Sequence, residues 1–253
     1  NEDNLVLGYG KGNVSLFNIS KNIITNEIDI KMIYLELHPH IKTVTDIMVP
    51  NSIILTSSTD CTIKQYQIQI SENKILYQHT YRTNPVSPIY KLEVIPNSNY
   101  FVAGGGDGTL IMVDYYSFEV IRNIKNAHSD WIWGLRSLND DYFISTGGDK
   151  RLLLWKISPY LTQNEIFNSL EWSNSIELDI EPSTLLFAHQ SSIYAMKIDI
   201  NQNKVKPQFD PIIGLGITEM EIEQSGNPIL YFFHISPNNV LSIKGNGQIE
   251  IFS

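Results

Sequence analysis

Residues 127 to 157 read AHSDWIWGLRSLNDDYFISTGGDKRLLLWKI, and this stretch decides the fold. Its second half is an alternating apolar run, a tight turn with two glycines and Asp149, and a second alternating run that reaches Trp155. Alternation with a period of two residues on both sides of a Gly/Asp turn indicates a β-hairpin. The stretch also holds His128, Ser145 and Asp149, the residue types of a nucleophilic triad, so catalysis and scaffolding must both be considered.

The hairpin returns along the chain. Six copies occupy, in chain order, residues 4–19, 52–68, 100–115, 142–157, 184–198 and 229–245. They differ in how closely they resemble the copy at 142–157. Their turn residues are, in order, Lys11, Asp60, Asp107, Asp149, Gln190 and Asn239. Successive turns are separated by 41 to 49 residues, which is the period of a repeat protein.

A further short strand is predicted ahead of most hairpins, at 43–49, 88–95, 131–138, 175–180 and 217–223. Four short strands in each unit of forty-odd residues are typical of a propeller blade. No segment has a convincing amphipathic helical pattern; residues 158–172 are the best candidate, and one or two helical turns there would not change the fold. The last copy has a second possible register, in which ILYFFHIS, VLSIKG and IEIFS are three successive strands. The prediction is an all-β β-propeller of four-stranded antiparallel blades, a single domain over 1–253 with six or seven blades. An incomplete N-terminal blade is one alternative within it.

These repeats resemble those of the WD40-repeat β-propeller family. Ala127-His128 resembles the family's Gly-His pair, Trp155-Lys156 resembles its Trp-Asp pair, and Asp149 stands in the turn where the family has its aspartate. The resemblance extends over the whole chain, is strongest at 127–157 and weakens towards both ends. At 88–115 it is partial, because no histidine precedes the repeat and Val113 replaces the tryptophan.

The resemblance implies a structural role for the triad-like residues. In the family, the equivalent side chains form a hydrogen-bonded network inside each blade, here running from Trp155 through Ser145 and His128 to Asp149. A second copy is implied at His40, Thr56 and Asp60. Linking a buried indole, hydroxyl and imidazole satisfies all of them at once, and Ser145 belongs to a strand. We therefore predict scaffolding and no catalytic residues.

Composition narrows the function further. The chain has 253 residues, a formal net charge of −9 and one cysteine, Cys61. A single cysteine excludes an internal disulfide framework, which favours an intracellular, cytoplasmic or nuclear protein. The acidic balance argues against a general nucleic-acid binder. No apolar run is long enough for a membrane span, His38 and His40 have no visible third ligand for a metal, and no cofactor or small-molecule substrate is predicted.

The predicted function is a non-enzymatic scaffold for protein–protein interaction, with partners in a multiprotein complex. The resemblance places the candidate contact residues on the top face: Tyr9, Lys11, Lys42, Thr59, Asp130, Trp131, Lys150 and Arg151. Trp131 is the best anchor, although packing on a neighbouring blade is an equal reading. The alternative function is an obligate non-catalytic subunit of an enzyme complex such as a transferase, ubiquitin ligase or kinase assembly.

Overall fold

The structure is a computed structural model that describes residues 2–21, 28–36, 39–69, 74–83, 86–149, 151–157, 162–168, 173–178, 184–189, 192–197, 208–211, 229–236, 239–244 and 248–252. Within these ranges it contains twenty-two strands in six sheets, which we letter A to F in chain order. The chain divides into two compact units, residues 1–94 with 99–123, and residues 95–98 with 124–253.

Sheets A, B and C belong to the first unit. Sheet A contains β1 (Glu2–Gly8), β2 (Val14–Lys21) and β3 (Ile28–Glu36). Sheet B contains β4 (Val44–Met48), β5 (Ile53–Ser58), β6 (Thr62–Gln69) and β7 (Lys74–Arg82). Sheet C contains β8 (Ile89–Val94), β9 (Tyr100–Gly105), β10 (Leu110–Asp114) and β11 (Val120–Ile124).

Sheets D, E and F belong to the second unit. Sheet D contains β12 (Ile132–Ser137), β13 (Tyr142–Gly147), β14 (Arg151–Lys156) and β15 (Thr162–Asn168). Sheet E contains β16 (Ser173–Leu178), β17 (Thr184–His189), β18 (Ser192–Lys197) and β19 (Gln208–Pro211). Sheet F contains β20 (Ile229–Ser236), β21 (Asn239–Lys244) and β22 (Ile249–Phe252).

Every sheet is an antiparallel meander in which each strand pairs with the next along the chain. Such short connections follow from the tight turns that the sequence places between alternating runs. In the first unit β1 packs against β4, and β4 packs against β8. In the second unit β12 packs against β16, and β16 packs against β20. Within each unit, consecutive sheets therefore stack through strands near their starts.

A β-bulge recurs at one place in the repeat. The register between the first two strands shifts between Val44 and Asp46 in sheet B, between Ile89 and Lys91 in sheet C, and between Ile132 and Gly134 in sheet D. Sheet E has the same shift near the start of β16, and sheet F has one near the start of β20. A bulge turns its extra side chain away from the alternation of the strand. The bulged residue of sheet D is Trp133.

The core of the first unit lies between its sheets. Leu55 and Ile63 of sheet B pack with Leu92, Phe101 and other apolar side chains of sheet C in one buried cluster. A second cluster joins sheet A to sheet B through β2 and β6. Burying a side chain of this size contributes about 1.5–3 kcal/mol relative to leaving it exposed. The hairpin turns of this unit are therefore held by strands that pack into a buried core.

The hairpin turns need a left-handed backbone at the residue after the turn aspartate or its equivalent. Gly12 in sheet A has φ 87°, Gly108 in sheet C has φ 74°, and Cys61 in sheet B has φ 69°. Glycine adopts this conformation without a steric cost, whereas Cys61 adopts it with its side chain buried.

Four of the five strands predicted ahead of the hairpins are present in the described residues. β4, β8, β12 and β16 lie at the strands predicted ahead of the hairpins, while residues 217–223 lie outside the described residues. The helical candidate at 158–172 was wrong over 162–168, because this segment pairs with β14 as the fourth strand of sheet D. The last repeat has the three-strand register that begins with ILYFFHIS. The expectation of a single domain over 1–253 stays a prediction.

Candidate protein-interaction surface

Sheet D contains the hydrogen-bonded chain that the sequence implied. The Trp155 Nε1–H donates to Ser145 Oγ over 2.8 Å. Ser145 Oγ lies 2.7 Å from His128 Nε2, and His128 Nδ1 lies 2.8 Å from Asp149 Oδ1. The loop before β12, the second strand, the hairpin turn and the third strand each supply one member.

The direction of each bond follows from the donors available. An indole N–H can only donate, so Ser145 Oγ accepts from Trp155. A carboxylate can only accept, so Nδ1 of His128 carries a hydrogen that it donates to Asp149. The Ser145 hydroxyl and Nε2 of His128 share the remaining hydrogen bond. All four polar groups are satisfied in one sequence, and removing any member leaves at least one buried group unpaired.

The geometry of a nucleophilic triad is present, but the setting is structural. Ser145 is fully buried, with 0% of its surface exposed, and its oxygen already holds the indole of Trp155. A nucleophile must reach a substrate, and no path reaches an atom with no accessible surface. The network instead locks the loop that carries His128 onto the turn of the hairpin.

Asp149 ties this loop to the turn through both carboxylate oxygens. One oxygen accepts the backbone N–H of Ser129 at 2.9 Å, and the other also accepts the backbone N–H of Arg151 at 3.2 Å. Burial raises the pKa of Asp149, but the bonds from His128, Ser129 and Arg151 outweigh it, so the net pKa is lowered. The carboxylate is thus held in its charged form.

Sheet B repeats the arrangement with substitutions. His40 Nε2 lies 2.7 Å from Thr56 Oγ1, and Nδ1 lies 3.1 Å from Asp60 Oδ2 and 3.0 Å from Thr62 Oγ1. Burial lowers the pKa of His40 despite the nearby Asp60 charge. Burial raises the pKa of Asp60, but the bonds from Thr62, Ile41 and His40 more than offset it and lower the net pKa.

The exposed Trp131 and the partly buried Trp133 form an aromatic pair beside the hairpin turn of sheet D. Trp131 is 43% exposed, and the two ring centroids are 5.1 Å apart with the planes inclined by 53°. Trp131 precedes β12, and Trp133 is the bulged residue at the register shift between Ile132 and Gly134.

Hydrogen bonds hold the backbone of Trp131 in place. The carbonyl of Trp131 accepts the backbone N–H of Gly148 at 2.8 Å, and its own N–H donates to the carboxylate of the exposed Asp130 at 2.8 Å. Gly148 follows the strand that contains Ser145, so the surface rests directly on the buried network. Three predicted contact residues, Asp130, Trp131 and Arg151, thus lie around one hairpin turn, whereas Lys150 lies outside the described residues.

The other predicted contact residues lie together in the first unit. The carbonyl of Tyr9 accepts the N–H of Val44 at 3.2 Å, and the carbonyl of Gly10 accepts the hydroxyl of Thr43 at 3.0 Å. The N–H of Thr59 donates to the carbonyl of Thr43 at 3.1 Å. The turn with Tyr9 and Lys11, the loop with Lys42, and the turn with Thr59 therefore meet at the same edge of sheets A and B. Tyr9 also bonds Ser15 through its hydroxyl.

The structure also bears on two other classes, membrane-spanning proteins and metal-binding proteins. No helix in the described part of the chain is long and apolar enough to cross a bilayer. Among the same residues, no group of three or more His, Cys, Asp or Glu side chains is arranged to hold a metal ion.

The family comparison matches two segments. The model of the WD domain, G-beta repeat, matches residues 74–114 and 119–156. The first match runs from β7 of sheet B to β10 of sheet C, and the second runs from β11 to β14. Each repeat thus begins with the last strand of one sheet and ends with the third strand of the next. No curated protein matches the chain.

Solved structures share the fold at low sequence identity. A chain of the mitotic checkpoint complex matches with a TM-score of 0.73 and 13% identity, covering 98% of this chain and 70% of the other. The computationally designed protein Ika8 matches with a TM-score of 0.66 and 15% identity, covering 98% of this chain and 67% of the other. These likenesses show the fold alone. With the repeat matches, they confirm a WD40-type β-propeller fold of antiparallel sheets.

Proposed function

We propose that this chain, a WD40-type propeller with two recognised WD40 repeats, is a non-enzymatic scaffold that binds a segment of a partner protein. The observation that carries the proposal is the exposed Trp131, paired with the partly buried Trp133 beside the hairpin turn of sheet D. Aromatic side chains supply large contact area at a low cost in conformational entropy and are enriched among binding anchors. A pair held in place before binding loses little further freedom when a partner arrives.

The buried network supports a scaffold rather than a hydrolase. Ser145, His128 and Asp149 hydrogen-bond one another and hold the loop before Trp131 on the hairpin turn. The triad-like residues therefore have a structural role. The lowered pKa of Asp149 keeps the carboxylate charged and bonded, because its hydrogen bonds outweigh the effect of burial. This arrangement rigidifies the surface that carries the aromatic pair.

The charge around the pair suggests the chemistry of the partner. Arg151 is partly exposed beside Asp149, whose own charge is already shared among three hydrogen bonds. Lys150 precedes it in the sequence, and Lys11 is exposed in the first unit. We propose that Lys150 and Arg151 favour an acidic or phosphorylated segment at sheet D, and that Lys11 has the same preference within the first unit. Reversing Lys150 and Arg151 to glutamate should weaken partner binding at low salt, and unchanged binding would exclude this preference.

The decisive experiment is a pull-down from extract of the source cells, read by mass spectrometry. Trp131→Ala should lose a partner that the wild type captures, because the exposed ring is the proposed anchor. The matched control is Tyr77→Ala, which removes another exposed aromatic ring, 58% exposed, from the outer strand β7. Circular dichroism should show both variants folded.

The same experiment tests the alternative function. An obligate subunit of an enzyme complex would dock through the sides of its sheets and would keep its stoichiometric partners in Trp131→Ala. It would also aggregate when expressed alone, whereas a scaffold that binds transiently should stay monomeric. Retention of all partners by Trp131→Ala would therefore overturn the proposed surface and favour the subunit.

A further inference from the structure

The last strand of sheet A has an open edge and five consecutive exposed residues. β3 pairs with β2 on one side, and among the strands that the structure describes none pairs with it on the other. Residues 28–32, which read IDIKM, are all exposed. Ile28 is 65% exposed, Ile30 57% and Met32 51%. A strand edge of this kind presents free N–H and C=O groups and is a template for pairing with another strand.

The apolar side chains of this segment lie on the face of sheet A that sheet B does not cover. Leu16 of β2 packs into the cluster between sheets A and B, whereas its neighbour Phe17 faces the opposite way. Phe17 is paired with Met32 of β3, so these two residues share a face. Ile28 and Ile30 share it too, because they precede Met32 at two-residue spacing. The three residues therefore form an exposed apolar stripe along the open edge.

The sequence of this segment is complementary to itself in the antiparallel direction. With Ile30 opposite Ile30 of a second copy, Ile28 stands opposite Met32. Asp29 then stands opposite Lys31, and the same pair recurs across the twofold axis. Opposite charges facing each other on neighbouring strands are stabilising, whereas like charges are destabilising. A register shifted by two residues in either direction would place Lys31 opposite Lys31 or Asp29 opposite Asp29.

The last strands of the other five sheets lack this complementarity. Each carries formal charges of one sign only: Lys74 and Arg82 in β7, Arg122 in β11, Glu165 in β15, Asp210 in β19 and Glu250 in β22. Pairing any of these strands with its own copy brings no opposite charges together. Charged side chains on an edge strand are a common protection against pairing between sheets. β3 differs because its two exposed charges attract rather than repel a second copy.

From this self-complementarity we infer that β3 pairs antiparallel with β3 of a second copy of the chain, so that two copies of sheet A join into one six-stranded sheet across a twofold axis. Asp29 and Lys31 set the register, and the apolar stripes of the two copies meet edge to edge. The interface is small, so we expect a reversible dimer with a dissociation constant on the order of 50 µM. This self-association goes beyond the proposed scaffold function and uses none of the residues proposed to bind a partner at sheet D.

The direct test is sedimentation equilibrium of the whole chain at low salt. The wild type should be monomeric at about 1 µM and largely dimeric at about 200 µM. Asp29→Lys and Lys31→Asp should each weaken dimerisation at least about tenfold, because each places like charges opposite one another at both ion pairs. The matched control is Arg122→Glu, which alters the net charge as much as Lys31→Asp does but at an exposed residue of β11, and it should leave dimerisation unchanged.

Mixing the two charge variants gives a sharper result. In an equimolar mixture of Asp29→Lys and Lys31→Asp, one copy presents two cations and the other presents two anions. The heterodimer therefore regains both ion pairs, although each variant alone dimerises weakly. The double variant that carries both substitutions exchanges the charges within each copy and should dimerise like the wild type.

Disulfide cross-linking tests the register. Ile30→Cys stands opposite its own counterpart and should give a cross-linked dimer under mild oxidation. Met32→Cys stands opposite Ile28 and should cross-link at least about fivefold less, since its own counterpart is too far away for a disulfide. Cys61, the one native cysteine, is buried, so it should contribute little cross-linking of its own.

A wild type that stays monomeric at about 200 µM would overturn the inference. So would a dimer that both single charge variants keep, or a mixture of the two that associates no better than either alone. Trp131→Ala leaves β3 unchanged and should dimerise like the wild type. A monomeric wild type beside a partner lost in Trp131→Ala would remove the dimer alone. The opposite pair of results would keep the dimer and overturn the surface on sheet D.

Discussion

Sheets D and C carry the same hairpin and hold it in different ways. In sheet D a buried polar chain joins the loop, two strands and the turn, and Asp149 has only 3% of its side chain exposed. In sheet C the hydroxyl, imidazole and indole are all absent, Ala103 and Val113 are buried, and Asp107 is exposed. With these three groups missing from sheet C, no buried member of the network is left unpaired there. The difference teaches that the hairpin itself needs only its turn and its apolar alternation.

The largest effect is expected from His128→Ala. The change should lower the free energy of unfolding by about 3 kcal/mol, since it opens a cavity and leaves Ser145 and Asp149 without their shared partner. Denaturation by urea, followed by circular dichroism, would measure it.

The control for this variant is His79→Ala, which removes an exposed histidine of β7 that stacks on Phe118. It should cost less than about 1 kcal/mol. Equal losses for the two variants would mean that the network does not hold sheet D.

A smaller loss of stability is expected at one of the two turn aspartates and none at the other. Asp149→Asn should destabilise the protein by about 2 kcal/mol, because an amide would turn its NH₂ group towards one of the N–H donors that the carboxylate now accepts. Asp107→Asn should leave the unfolding midpoint unchanged, since one amide oxygen suffices for the N–H of Thr109. Urea unfolding of both variants checks the pair, and similar losses at both positions would contradict the contrast between the sheets.

The smallest effect concerns pH and sheet B. Burial lowers the pKa of His40 below its ordinary value of 6.5, so the unfolded chain binds the proton more readily and stability declines as the pH falls below that value. The lowered pKa values of Asp60 and Asp149 add stability that is present above 3.8 and is lost on further acidification. Between pH 8 and 5 the unfolding free energy should therefore decrease less in His40→Gln than in the wild type. Parallel profiles for the two proteins would show that His40 makes no contribution.

The sequence predicted the repeat and missed what depends on register. The hairpin with Asp149 was visible because alternation and turn chemistry are local. The bulge at Trp133 was not, because one extra residue changes the direction of a side chain without changing the composition of its strand. Residues 162–168 lie within the best helical candidate, although they pair with the free edge of β14 as the fourth strand of sheet D. The contact residues on sheet D stay a prediction, which did not include the pairing of Trp131 with Trp133.

The offset between repeat and sheet has a consequence for how such a chain can grow. The segment 74–114 gives its first strand to sheet B and its other three to sheet C. Copying that segment in tandem would supply a closing strand to the sheet before it and open a new sheet for the copy after it. Each duplication therefore inserts into the array without leaving an unfinished sheet in its interior, where an exposed strand edge would invite aggregation. The genetic unit and the folded unit differ by one strand, and that difference lets propellers lengthen by whole blades.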